Sequence, residues 1–154
     1  MSGSGLVGIL HAVVITGDLE RTLHFYVGLL GLVPGPIRDH EPDRLARLGG
    51  PANAIARAVI LKAPDGSEIE IACFERPRGT PITQAAWQDA GIRSVTFVVV
   101  DIRTMATRLE LAGYSLSGEI TLFIEDWRPV LVAYVHGQDG VVVTLLQTHD
   151  VTGV

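Results

Sequence analysis

The stretch Leu6-Val7-Gly8-Ile9-Leu10-His11-Ala12-Val13-Val14-Ile15-Thr16-Gly17-Asp18-Leu19-Glu20-Arg21-Thr22-Leu23-His24-Phe25-Tyr26 reads as a buried strand that stops at Gly17 and hands over to a helix. The apolar, β-branched run predicts the strand. Asp18 is placed to cap the helix that follows, because its carboxylate can accept an orphan amide of the first turn. Leu19, Leu23, Tyr26 and Leu30 recur at helical spacing, and Gly31 supplies the stop. A short strand candidate over Leu32 to Asp39 is interrupted by Pro34 and Pro36, which predicts an edge position or an irregular path. Residues 40 to 54 read as a loop or lid, with one turn of helix around Arg44 to Leu48. Two strands, Ala58 to Ala63 and Ser67 to Phe74, then flank the tight turn Pro64-Asp65-Gly66.

Further along, the same order returns. Ile92 to Val100 is a strand, Asp101 to Ala112 a helix closed by Gly113, and Tyr114 to Phe123, Val130 to Val135 and Val141 to Leu146 are strands, the last two joined through Gly137-Gln138-Asp139-Gly140. The offsets agree: His11 to Asp18 and Ser94 to Asp101 are each seven residues, and Gly66 to Glu70 and Gly140 to Thr144 are each four. The expected fold is therefore α+β, two tandem βαβββ modules forming a shared curved sheet or partial barrel around a cavity. The expected boundaries are 6–75 for the first module, 76–90 for a Pro- and Gly-punctuated linker, 91–148 for the second module and 149–154 for a C-terminal tail.

With 154 residues, the chain fits one compact domain or two half-domains sharing a core. Hydrophobic residues at 47% against 19% charged predict a large core or a subunit interface, and a homodimer is expected. Apolar runs fall short of the roughly 18 residues that a membrane helix needs, and no basic segment precedes the first one. The single cysteine, Cys73, excludes an intramolecular disulfide, so the cytoplasm is the expected location. A net charge of −5 without a basic cluster argues against nucleic acid as a partner. A small molecule is the expected ligand.

Strand alternation puts Glu68, Glu70 and Ala72 on one face and Ile69, Ile71 and Cys73 on the other. By the same parity His11, Val13 and Ile15 share a face, and so do Ser94, Thr96 and Val98. Cys73 is expected to be a small buried hydrophobe. His136 stands three residues before its Asp-Gly turn, as Lys62 does in the first module, and shares parity with Tyr134. The two are a candidate donor pair, with capping of the hairpin as the other reading of His136. His24, His40 and His149 are read as solvated or structural, and Arg44, Arg47 and Arg57 as anchors for an anion or as ordinary surface pairs.

This order of motifs resembles the vicinal oxygen chelate superfamily, which includes glyoxalase I, methylmalonyl-CoA epimerase, extradiol dioxygenases and fosfomycin or bleomycin resistance proteins. His11, Asp18-Leu19-Glu20-Arg21-Thr22 with Phe25-Tyr26, and Pro64-Asp65-Gly66 before Ile69-Glu70-Ile71 carry the resemblance in the first module. Val95-Thr96-Phe97-Val98-Val99, Ala112-Gly113-Tyr114 and Gln138-Asp139-Gly140 before Val143-Thr144-Leu145 carry it in the second. The resemblance covers roughly residues 6 to 148 and implies metal-ligand positions on the first and last strands of each module, here His11, Glu70, Ser94 and Thr144. A divalent metal would find suitable donors in His11 and Glu70, but hydroxyls at Ser94 and Thr144 are poor ligands, and zinc favours three or four protein donors. The expectation is then proton transfer next to a carbonyl or enol, as in an isomerase, epimerase, cyclase or lyase. Glu70 would be the base, and His11 with Tyr134 or His136 would stabilise the oxyanion. Glu68, Ser94 and Thr144 would contact substrate. The rival expectation is a binding or drug-sequestering protein, with Trp87 or Trp127 stacking on a planar ligand.

Overall fold

In the computed structural model, which describes residues 5, 8–80 and 94–148, the chain falls into two compact units, Met1–Thr80 and Pro81–Val154. Each contains one mixed sheet, so the protein is α+β with a sheet in each unit. The expected linker lies mostly, and the C-terminal tail wholly, outside the described residues.

The first unit opens with β1 (His11–Thr16) and α1 (Leu19–Leu23), and α1 continues as a π-helical turn over His24–Leu29. Asp18 caps α1 as its sequence position predicts, its carboxylate accepting the Arg21 amide at 3.0 Å. The helix expected to run to Leu30 instead widens after Leu23, with the Leu30 amide reaching the Phe25 carbonyl at 3.1 Å. Wider winding lets two consecutive rings turn inward: Phe25 and Tyr26 are both buried and meet edge to face at 5.0 Å. The edge of the sheet is a broken strand, β2 (Val33–Pro34) and β3 (Arg38–His40), split by Gly35-Pro36-Ile37 as the prolines predict. Both pieces pair antiparallel with β4 (Ile55–Lys62). A short helix, α2 (Pro42–Arg47), fills part of the stretch expected to be loop.

The strand β5 (Glu68–Arg76) lies between β4, antiparallel, and β1, parallel. The turn before it is fixed by Asp65, whose carboxylate accepts the Ser67 hydroxyl at 2.6 Å and the Ser67 amide at 3.0 Å, bonds that hold its pKa below the usual carboxylate range. Gly66, at φ 86°, takes the left-handed position that this turn requires.

In the second unit, β6 (Ser94–Val98), α3 (Ile102–Leu111), β7 (Thr121–Glu125), β8 (Arg128–His136) and β9 (Val142–Thr148) give the order β6-β9-β8-β7, again with first and last strands parallel. Asp101 caps α3, accepting the Arg103 and Thr104 amides at 3.0 Å each. The strand expected from Tyr114 to Phe123 is shorter and later. Ser115 to Ser117 touch β8 through a single bridge at Leu116, and regular pairing begins only at Thr121, beyond Gly118.

Hydrophobic burial divides each sheet. Val14, Ile69, Ile71, Cys73, Val59 and Leu61 pack on the helix side of the first, and Val143, Leu145, Val135 and Ala133 are buried in the second. On the opposite face of the first sheet Val13 and Ile15 are half exposed, which leaves that face open for a ligand.

Candidate functional site

On that open face the parallel ladder sets His11 opposite Glu68 and Val13 opposite Glu70. His11 and Glu70 are thus diagonal neighbours, and His11 Nε2 lies 3.6 Å from Glu70 Oε2. That separation is longer than a settled hydrogen bond. Both side chains are about one fifth exposed, 22% and 21%. They are reachable yet largely stripped of water. His11 Nδ1 is buried with no partner among the described residues.

The neighbouring carboxylate, Glu68, is claimed by Lys62, its cross-strand partner, at 2.9 Å. Glu70 has Ile60 opposite it on β4. The two carboxylates thus have different neighbours: Glu68 is ion-paired with an ammonium, and Glu70 has an apolar residue beside it on β4 and His11 within 3.6 Å.

A cavity of about 340 Å³ stands over this pair, within the usual range for small-molecule sites. Its floor is His11, Glu68, Glu70 and Ile60, and its wall comes from the edge strand and α2, with Arg38, His40 and Arg44 among the lining residues. His40, read from sequence as solvated or structural, lies on this wall. Arg38 was not singled out at all. The signal was present in the sequence, since Arg38 and His40 share parity, but the prolines beside them hid the strand. Arg57 and Arg47, offered as anion anchors, are occupied elsewhere. Arg57 pairs with Glu75 at 2.6 Å, and the Arg47 Nε–H donates to the Asp43 carbonyl at 3.3 Å.

The remaining candidates lie in the second unit, and they share one face of its sheet. Thr144 pairs with Thr96 on one side and Tyr134 on the other, and Val142 with Ser94 and His136. His136 therefore holds, register for register, the place of Lys62, and Tyr134 that of Ile60. The His136 Nε2 meets the Ser117 hydroxyl at 3.0 Å, tying the 115–117 segment to β8. Thr144 is 5% exposed, and its hydroxyl is buried without a partner among the described residues. Trp127 stands 96% exposed at the β7–β8 turn, and Trp87 lies outside the described residues. Cys73 is free and buried, on the helix side of its strand.

The ladder registers make His11 and Ser94 equivalent, and Glu70 and Thr144 equivalent. A metal coordinated from those four positions would have two good donors and two neutral hydroxyls. Among the described residues no three His, Cys, Asp or Glu side chains are grouped to hold one ion. The donor set does not fit a closed metal centre.

Two repeated βαβββ units, each closed by a parallel pairing of its first and last strands, with a His–carboxylate pair on the open face of one, define a glyoxalase-like fold. The Glyoxalase/Bleomycin resistance protein/Dioxygenase superfamily model matches residues 8–145, and the chain belongs to that superfamily. Among solved structures it is similar to a glyoxalase family protein from Bacillus cereus, with TM-score 0.85 and 23% identity over 96% of this chain and 98% of that one. It is also similar to a glyoxylase/bleomycin resistance protein/dioxygenase domain from Frankia sp. EAN1pec, with TM-score 0.64 and 14% identity over 96% of each chain. A V278E mutant of glyoxalase I from Zea mays matches with TM-score 0.64 and 19% identity over 89% of this chain but only 43% of the maize chain. Identities this low establish the fold alone. No curated protein matches the sequence significantly.

Proposed function

We propose that the protein is a small-molecule enzyme that moves a proton next to a carbonyl or enol, as an isomerase, epimerase, cyclase or lyase. One observation carries this reading: Glu70 and His11 meet at 3.6 Å on the floor of a small-molecule cavity while the second carboxylate is held by Lys62. In the forward step Glu70 takes the proton from a carbon beside the carbonyl, and His11 hydrogen-bonds the oxygen on which charge develops. The protonated Glu70 then returns the proton to a neighbouring carbon or to a departing group on its own side, whereas an epimerisation takes its new proton from water on the opposite face and Glu70 gives up its own to solvent. The sequence is redox-neutral and requires no co-reactant. Glu68 is a substrate contact at the edge of the floor. Tyr134, His136, Ser94 and Thr144 remain candidates in the second unit, and the reading stands on His11 and Glu70 without them.

The experiment is deuterium wash-in. Ketones and β-dicarbonyl compounds of three to eight carbons are incubated with the protein in D₂O and followed by proton NMR. Enzyme-dependent exchange that falls at least about a hundredfold in Glu70→Gln is expected, the usual size of a lost acid–base group. Equal exchange in wild type and variant would sink the assignment. A second reading, a non-catalytic ligand carrier, is supported by the apolar Leu10, Pro36 and Ile60 in the cavity lining. It predicts binding in both proteins and exchange in neither.

We also propose a homodimer. In β7, an edge strand of its sheet, Leu122, Phe123 and Ile124 are all exposed, a pattern that monomers seldom leave open. Sedimentation at micromolar concentration tests it, a single monomeric species being the contrary result. A cytoplasmic location is the accompanying proposal. The free, buried Cys73 supports it, and fractionation of the native cells checks it. No helix among the described residues is long and apolar enough to cross a membrane.

A further inference from the structure

We infer that the substrate of this site is an anion, and that Arg38 and Arg44 are the residues that hold its carboxylate or phosphate group. The inference rests on the His11–Glu70 reading for where the reaction occurs, and adds the chemical class of what reacts.

Three cations of the first unit are already engaged: Lys62 with Glu68, Arg57 with Glu75, and Arg47 with a backbone carbonyl. Arg38 and Arg44 differ from these on two counts. Both line the cavity, and neither guanidinium has a hydrogen-bond or ion-pair partner among the described residues. Asp39 borders the same wall, so two guanidinium groups face one carboxylate and the wall keeps an excess of positive charge. Both side chains are exposed and hydrated in the free protein, so two guanidinium forks beside one recess are open to an entering anion.

The sheet register supplies the geometry. Arg38 pairs with Ala58 on β4, and Ala58 with Ala72 on β5, so Arg38 and the two alanines lie in one row across the open face. Glu70 stands in the next row along β5. Two interstrand spacings and one two-residue step put the Arg38 and Glu70 Cα atoms roughly 12 Å apart in a flat sheet. An extended arginine covers about half of that distance. The path between them crosses β4 between the Ala58 methyl group and the Ile60 side chain, and the two alanines of the Arg38 row leave room on one side of it. A ligand anchored at Arg38 therefore reaches Glu70 with a carbon a few bonds from its anionic group. Arg44, on α2, lines the same cavity from outside the sheet. Carboxylate and phosphate both suit the guanidinium fork, and the lining does not distinguish them.

The test is calorimetric titration of the full chain with two ligand series and a control. Succinate and 2-oxoglutarate make the carboxylate arm, inorganic phosphate and glycerol 3-phosphate the phosphate arm, and succinamide the neutral control. Wild type is expected to bind one anionic series at up to about millimolar concentration and the amide at least about tenfold more weakly. Arg38→Gln and Arg44→Gln should each weaken the anion about tenfold or more, and the double variant should level anion and amide. Arg47→Gln, which changes a residue outside the lining that is bonded to the Asp43 carbonyl, should bind as wild type does. The series that responds identifies the anionic group. Anion binding unchanged in the double variant would overturn the proposal, as would wild type binding neither series.

The two readings fail separately. Glu70→Gln should retain anion binding whether or not the proton-transfer reading holds, so lost exchange with intact anchoring indicts neither arginine. Deuterium exchange as fast in the amide as in the acid would remove the anchor and leave Glu70 in place.

Discussion

Glu70 and Ile71 are adjacent in the chain and opposite in environment, and the contrast fixes what each contributes. Ile71 is fully buried beneath α1, so Ile71→Ala should cost about 2–5 kcal/mol through lost burial and the cavity left behind. Val13, opposite Glu70 and 51% exposed, should tolerate Val13→Ala within about 0.5 kcal/mol. Urea denaturation of the two variants checks the face assignment independently of any substrate, and similar costs would contradict it. This alternation was readable beforehand, because Ile69, Ile71 and Cys73 are separated by glutamates and alanine in strict period two. The pairing of Glu68 with Lys62 was not, because it depends on the hairpin register, which the turn sequence suggests but does not specify. Arg38 escaped notice for a related reason: a three-residue strand between prolines has too little pattern to announce a face.

At the level of elements, the Asp caps that open α1 and α3 are the most transferable local signal. Asp101 takes hydrogen bonds from the Thr104 amide and hydroxyl, which hold its carboxyl below the usual range. A group whose acidity is strengthened in the folded chain stabilises it above its unfolded pKa, and the contribution disappears as pH falls through the folded value. Asp101→Ala should therefore melt below wild type at neutral pH, with the gap closing below about pH 4. Thermal melts between pH 7 and pH 3 measure it, and a gap that persists undiminished in acid would exclude the carboxylate as its origin. Helix positions were legible from Asp18 and Asp101. The π-helical turn at His24–Leu29 was not, since apolar residues at helical spacing fit an α-helix equally well and only the inward packing of both Phe25 and Tyr26 demands the wider winding.

Across the whole molecule, the repeat announced by two seven-residue and two four-residue offsets appears as two sheets with the same strand order, and the chain's place in the superfamily follows from it. The chemistry is unevenly distributed between them. With histidine and glutamate in one unit and serine and threonine at the equivalent positions of the other, untagged protein purified without chelator should contain well under one divalent metal ion per chain by elemental analysis. A stoichiometric metal that disappears in His11→Ala would reverse that expectation. What the sequence left open was the wall of the cavity, because the edge strand and α2 that form it occupy its least regular stretch.

The parallel pairing of β1 with β5 has a consequence for the order of assembly. Residue 11 meets residue 68 only after the whole first unit has been traversed, whereas the β4–β5 hairpin needs just a five-residue turn. Closing the longer loop costs more chain entropy and belongs to the slower class of folding events. His11 and Glu70 sit on the two strands of that late ladder. During refolding from urea, ligand-binding competence should trail the recovery of helical circular dichroism, so that a kinetically arrested chain would look largely structured and be inert.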